Sequence, residues 1–251
     1  MSHGPPRPAE NSESGALPIT SGIEHDGAKS STDGTVPSPR RERIAGGETP
    51  MGPHAASGHA LAAEKAAFRA QLLARRRRMT ADQRTDAGRR LRDAVLGAPE
   101  AQMAGTVAAY VSVGTEPDTR GLLFAFWKRG TYVLLPLLRP DGDLDWASYE
   151  GPNSLTSGPR GLLQPSEPPR GVTGITSADL ILVPALAVDR AGNRLGRGGG
   201  SYDRALARVG PAILTVALLY GDELLERVPV GSQDSPVRAV ALPAEGITRL
   251  G

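Results

Sequence analysis

The chain has 251 residues, a formal net charge of +2 and no cysteine. That length holds one or two domains with a sizeable core, and the missing cysteines exclude disulfides, thiolate zinc sites and a cysteine nucleophile. The small positive excess does not by itself call for nucleic acid, and no run approaches the ~20 apolar residues of a membrane span.

Residues 1–60 are rich in Gly, Pro, Ser and charge, with little that is apolar beyond Ala16-Leu17-Pro18-Ile19. Such a segment cannot bury enough surface to offset its ordering entropy, so it is predicted to be a disordered tail ahead of a single folded domain, residues 61–251. It contains no apolar core of a secretory signal, Met51 is a candidate alternative start, and a reducing cytoplasm is the expected location. All four histidines (His3, His25, His54 and His59) fall in this tail. The folded domain therefore has no Ser–His–Asp triad and no ordinary zinc site. Its carboxylates, arginines, tyrosines and rare lysines suit charge neutralisation around phosphates and Mg²⁺.

Residues 61–78 read as a helix with Leu61, Phe68 and Leu72 near one face. Lys65 and Arg69, four apart, share a face and can reach one ligand together, although spacing alone favours two solvated cations. The run Arg75–Arg78 reads as a solvated helix end, with contact to RNA or an acidic partner as the alternative. Thr80-Ala81-Asp82-Gln83 has capping-box form and starts a second helix running to about Leu96 on Ala87, Leu91 and Val95.

The first convincing strand covers residues 106–113, and the turn Gly114-Thr115-Glu116-Pro117-Asp118-Thr119 leads into a helix over residues 119–129. A carboxylate in a strand-to-helix loop sits where open α/β sheets bind ligands, which makes Glu116 a substrate candidate; Asp118 or Thr119 caps the helix. Residues 132–137 form a second strand, paired antiparallel through a turn with residues 144–149. Residues 153–174, full of Pro and Gly, read as a long surface loop. Trp146 and Tyr149 near it belong by default to the core or its rim, with stacking on a flat ligand as the alternative.

Residues 180–188 make the most apolar strand. It feeds Asn193-Arg194-Leu195-Gly196-Arg197-Gly198-Gly199-Gly200-Ser201-Tyr202-Asp203-Arg204. Glycines without Cβ let backbone N–H groups converge on an anion, and interleaved arginines add forked, permanently charged donors. Asp203, near the start of a helix over residues 202–208, can hold a magnesium ion that bridges phosphates. The segment is neither a Walker A loop, having no lysine, nor G-x-G-x-x-G, because Ser201 stands at the third glycine. A strand over residues 213–219, a short helix from Asp222 and a closing hairpin around residues 237–242 and 247–250 complete an α/β pattern with a largely parallel sheet flanked by helices.

Several of these segments together resemble the 5-formyltetrahydrofolate cyclo-ligase (5,10-methenyltetrahydrofolate synthetase) family. The signature stands as Val183-Pro184-Ala185-Leu186-Ala187-Val188-Asp189 followed by Gly192 through Asp203. Lys65-x-x-x-Arg69 is similar to the family's ATP-contacting pair, residues 110–119 with Glu116 to the segment that meets folate, and Val228-Pro229-Val230 with Asp234 to the C-terminal magnesium segment. Ser201 departs from the pattern, since many members carry a second tyrosine there.

The resemblance implies an open-sheet fold like that of NagB, RpiA and the CoA transferases, acting as a monomer on a small molecule without nucleic acid or membrane. It also implies ATP and Mg²⁺ as cofactors. The formyl oxygen of 5-formyltetrahydrofolate would attack the γ-phosphate, and N10 would close the ring as phosphate leaves. Lys65, Arg69 and the loop Arg194, Leu195, Gly196, Arg197, Gly198, Gly199, Gly200, Ser201 and Tyr202 would hold the nucleotide. Arg194, Arg197 and Tyr202 would serve catalysis, Val113 and Glu116 would bind folate, and Asp203 with Asp234 would hold Mg²⁺. Two rival readings are an RNA-binding protein of the same fold and a ligase acting on a different small substrate.

Overall fold

The computed structural model describes residues 53–251, with side chains from Gly58 onward. Residues 1–52 of the tail expected over residues 1–60, and the candidate start at Met51, lie outside the described residues. The first helix, α1 (Pro53–Arg78), begins at Pro53 rather than Leu61. Proline is well tolerated at a first helical position, and Ala55, Ala56 and Ala60 supply propensity that the polar composition concealed.

Helix α2 (Ala81–Gly97) carries the full capping box, with Thr80 accepting from the Gln83 N–H and the Gln83 side chain from the Thr80 N–H. A short α3 (Pro99–Met103) leads to β1 (Thr106–Ala108). That strand is shorter than the expected 106–113, because residues 110–113 leave the ladder to build the turn that carries Glu116. Helix α4 (Arg120–Lys128) follows, with Asp118 accepting from the Arg120 N–H. Then come β2 (Tyr132–Leu138) and β3 (Leu144–Ser148), paired antiparallel as expected.

Residues 153–174 are not a plain loop. They contain the hairpin β4 (Leu155–Ser157) and β5 (Leu163–Pro165), followed by a 3₁₀ turn at Gly174–Ser177. The apolar run from Leu180 breaks into β6 (Leu180–Pro184) and β7 (Ala187–Asp189), and β8 (Arg194–Leu195) folds back on β7. After α5 (Ser201–Leu206) and β9 (Leu214–Leu218), the expected helix from Asp222 is instead a turn and strand, β10 (Leu224–Leu225), parallel to β7. Strands β11 (Ala239–Leu242) and β12 (Gly246–Arg249) close the chain as a hairpin.

The main sheet has seven strands in the order β12-β11-β9-β6-β1-β2-β3. Its five inner strands run parallel, and β12 and β3 are antiparallel edges. Both faces are covered, as a parallel sheet requires. The period of two is plain: Val107, Val133, Leu135, Leu180 and Leu182 pack with Leu91, Val95, Leu122 and Phe126 of the helices on one face. Ala108, Leu134, Ile181 and Val183 face the opposite way, onto Trp146, Ile175, Ala205 and Leu206. Trp146 and Tyr149 are thus core residues. Helix α1 packs by Leu72 against Leu186, Ala187, Leu195 and Val228, over a second sheet in the order β10-β7-β8. Among the described residues no helix is long and apolar enough to cross a membrane.

Candidate nucleotide and folate site

The carboxyl ends of β1 and β6 open into a cavity of about 730 Å³. Every residue singled out from the sequence as a site residue lines it: Lys65 and Arg69 of α1, Val113 and Glu116 of the turn after β1, Arg194 through Asp203, and Asp234. Four separated stretches of chain therefore meet at the edge where parallel sheets bind ligands.

Asp189, at the end of β7, explains how the glycine-arginine loop is launched. Its Oδ1 accepts from the N–H groups of Ala191 and Asn193, while its Oδ2 accepts from Asn193 Nδ2 and the Val228 N–H. A buried carboxylate so fully bonded fixes the turn over residues 189–193 and turns Arg194 inward. Arg194 donates from Nη2 to Asp203 Oδ1 at 2.6 Å and from Nη1 to the Pro184 carbonyl at 3.2 Å. Its Nε is buried with no partner. Leu195 belongs to the core by its side chain, so only its backbone can serve a nucleotide. Gly198, at a φ of 100°, brings bare backbone against the Arg69 guanidinium, and Arg69 Nε donates to the Gly196 carbonyl at 2.9 Å.

Lys65 and Arg69 are accordingly not two solvated cations. Lys65 is largely buried and ion-paired with Asp234, which also accepts from the Gly231 N–H at 2.7 Å. Burial works against the charge on Asp234, and these two donors outweigh it, holding the carboxyl below its ordinary range. Ser235 joins the two proposed metal carboxylates: it neighbours Asp234 and donates from its N–H to Asp203 Oδ1 at 3.3 Å. The four-arginine run is a solvated end only in its second half, where Arg77 and Arg78 are exposed. Arg76 is fully buried on Glu223 through two 2.7 Å bonds and also donates to the Ala185 carbonyl, while Arg75 pairs with Asp222.

On the other side of the cavity, Glu116 Oε2 accepts from the Val113 N–H at 2.8 Å, and Oε1 lies 3.4 Å from Arg197 Nη1. Burial raises its pKa, against the pull of the Val113 N–H and Arg197. Tyr110 and Tyr202 present buried hydroxyls without partners beside it, and burial pushes both well above the ordinary phenol. They are neutral donors, not bases. Ser201, where a tyrosine was the family expectation, donates to the Gly142 carbonyl at 2.6 Å and ties the loop to the β2–β3 turn.

Among the described residues no group of three or more Asp, Glu, His or Cys could hold a metal alone. Two carboxylates in neighbouring segments, each balanced by a cation, fit an ion such as Mg²⁺ that arrives with polyphosphate oxygens in its shell. The orphaned Arg194 Nε likewise fits an incoming anion. Sequence reasoning missed the hairpin's share of the wall, Arg160 and Leu162 through Gln164, and also Tyr110 as an individual residue. The Pro- and Gly-rich hairpin offers no periodicity by which to place it.

The sequence profile of the 5-formyltetrahydrofolate cyclo-ligase family matches residues 61–243. A 5-formyltetrahydrofolate cyclo-ligase of Mycolicibacterium smegmatis is 42% identical over 150 residues, covering 58% of this chain and 77% of that protein. The enzyme of that name from Escherichia coli is 32% identical over 178 residues, covering 68% and 96%. Among solved structures, the 5,10-methenyltetrahydrofolate synthetase of Aquifex aeolicus aligns with a TM-score of 0.65 and 27% identity, over 74% of this chain and 92% of that one.

Proposed function

Because the chain belongs to the 5-formyltetrahydrofolate cyclo-ligase family, we propose that it converts 5-formyltetrahydrofolate to 5,10-methenyltetrahydrofolate with ATP and Mg²⁺, releasing ADP and phosphate. One observation carries this reading: the phosphate-type loop, the α1 cations, the paired carboxylates and the Glu116 turn line a single cavity.

A formyl oxygen on nitrogen is a poor leaving group until it is phosphorylated. The oxygen would attack the γ-phosphorus as ADP departs; N10 would then attack the formyl carbon, and the original oxygen would leave as phosphate, which takes up the proton that N10 gives up. Such chemistry asks the protein for positioning and charge neutralisation more than for proton transfer. Lys65, Arg69, Arg194 and Arg197, with the N–H groups of residues 196–200, would bind the triphosphate. Asp203 and Asp234 would hold Mg²⁺, which when bound neutralises phosphate charge. Glu116 would accept from the N–H donors of the pterin ring. The Tyr202 hydroxyl, neutral at any working pH, would donate a hydrogen bond beside the reacting groups. No histidine is required anywhere in this scheme.

The test is direct. Protein mixed with 5-formyltetrahydrofolate, ATP and Mg²⁺ should develop methenyl absorbance, with one ADP formed per product. Absorbance that stays flat, or that grows equally without ATP, would sink the proposal.

A further inference from the structure

The hairpin β4–β5 adds to the cavity wall a group of residues that the reaction above does not use. Its connection places Arg160 at a φ of 58° and a ψ of 22°, the only non-glycine residue at positive φ among those described. Left-handed backbone is costly for a residue with a side chain, roughly 1–2 kcal/mol, and such conformations gather at ligand sites. Arg160 is exposed and lines the cavity.

It also differs in its pairing. Lys65 has Asp234, Arg69 the Gly196 carbonyl, Arg194 Asp203, Arg197 Glu116, and Arg204 the Gly142 carbonyl. Among the described residues Arg160 has no hydrogen bond or ion pair. Beside it stands Leu163, one of the few large apolar side chains left exposed.

Strand order gives the cavity an axis. Pro184 and Ala185, at the end of β6, border the phosphate loop; Glu116 follows β1, the next strand; Pro136 and Leu138 belong to β2, beyond it, on which β5 packs. The sequence along that axis is cationic and glycine-rich, then carboxylate, then apolar, then a lone guanidinium. A folate with its pterin at Glu116 has a matching order: N5 and N10, at the junction of the pterin and the aminobenzoyl ring, can face the phosphate loop, while the aminobenzoyl ring and then the glutamate carboxylates extend towards the apolar stretch and Arg160.

Resting on the cyclo-ligase reading, we infer that Arg160 binds the glutamate carboxylates of the folate and that Leu162 and Leu163 pack on its aminobenzoyl ring. The hairpin is then a specificity element for the substrate's tail. Arg160 takes no part in the chemical step, so its loss raises the folate KM and leaves kcat alone.

Arg160→Gly tests this with little risk to folding, because glycine adopts the left-handed backbone freely. The probes are 5-formyltetrahydrofolate and its counterpart ending at the aminobenzoate carboxyl, without glutamate. Wild type should prefer the glutamate-bearing substrate by about fivefold in kcat/KM, the worth of one exposed ion pair. Arg160→Gly should erase that preference with unchanged kcat and unchanged ATP KM, and Arg160→Lys should restore part of it. Equal preference in wild type and Arg160→Gly overturns the inference, as does a rise in the ATP KM, which would put Arg160 on the phosphates. If wild type turns over neither compound, the cyclo-ligase reading itself has failed, and the tail subsite with it.

Discussion

At the scale of single residues, Glu116 has its ionised form disfavoured by burial. Its raised pKa means that the carboxylate is lost on acidification sooner than an ordinary glutamate would lose it. The folate kcat/KM, which reports the free enzyme, should therefore fall through an acid limb with a midpoint above the reference value of 4.5. Glu116→Gln should remove that limb and lower kcat/KM at neutral pH by roughly tenfold to a hundredfold, the worth of a hydrogen bond to a charged group. It should not lower the melting temperature, because an ionised carboxyl with a raised folded pKa adds no stability at pH 7. A pH profile that keeps its acid limb in Glu116→Gln would assign the limb elsewhere. Asp203 asks for a different design. Its partner Arg194 is almost fully buried, so Asp203→Ala leaves a desolvated guanidinium short of its counter-charge, at a cost of ~3–5 kcal/mol. Asp203→Asn keeps an oxygen acceptor for Arg194 and should melt closer to wild type, yet lose at least ~100-fold in turnover through the missing metal carboxylate. Near-normal turnover in the asparagine variant would remove Asp203 from the metal site. Both residues were legible in the sequence as candidates, through residue type and place in a motif, and both line the cavity. Their partners were not, because the pairs Glu116–Arg197 and Arg194–Asp203 form only once the turn after β1 and the glycine-arginine loop are folded against the sheet.

Among elements, legibility followed length and periodicity. Helix α2, with its capping box, and the hairpins β2–β3 and β11–β12 carry their signals within a few residues, and the structure has them. Strand β10 is two residues long and exists because β7 pairs with it, so local pattern could not show it. The same holds for β4–β5, hidden among prolines and glycines. Arg75 and Arg76 misled for the same reason: four like charges read as solvent-facing, which holds for Arg77 and Arg78, while the fold supplies Glu223 to Arg76 and Asp222 to Arg75. The signature turn gives the sharpest prediction at this scale. Gly192 has a φ of 83°, and a Cβ added there would collide with the Val237 carbonyl oxygen, which is backbone and cannot swing aside. The Gly192 carbonyl accepts from the Val237 N–H at 2.9 Å, so the turn and the strand leading into β11 are held together. Gly192→Ala should lose at least ~2 kcal/mol, combining left-handed backbone with a backbone clash. It should also lower nucleotide affinity, since the same turn aims Arg194. Urea melts matching wild type would mean that the turn relaxes at no cost.

Across the whole molecule, the candidate site is a set of internal ion pairs, in which two proposed phosphate-binding cations each sit against a proposed metal-binding carboxylate. Lys65 and Arg194, proposed for the triphosphate, are paired with Asp234 and Asp203, proposed for Mg²⁺. On the proposed function, nucleotide and metal would enter together: phosphate oxygens would take the cations, and the released carboxylates would take the ion that the phosphates bring. The cavity lining carries six cations against three carboxylates, so an anionic Mg-ATP complex would bring it closer to neutral, which a low-dielectric pocket favours. This exchange predicts an order that single-site reasoning does not. Mg²⁺ titrated alone at millimolar concentration should leave the melting temperature unchanged, because both carboxylates are already satisfied. ATP in the presence of a chelator should bind weakly, since it must displace two carboxylates with nothing to receive them. Mg-ATP should stabilise by about 2.7 kcal/mol at a hundred times its Kd. Lys65→Met should then change the pattern in a definite direction. With Asp234 freed of its partner, the variant should gain a measurable response to Mg²⁺ alone while losing affinity for Mg-ATP. Thermal melts of wild type and Lys65→Met across the three titrations decide it, and a clear shift of the wild type by Mg²⁺ alone would refute the exchange of partners.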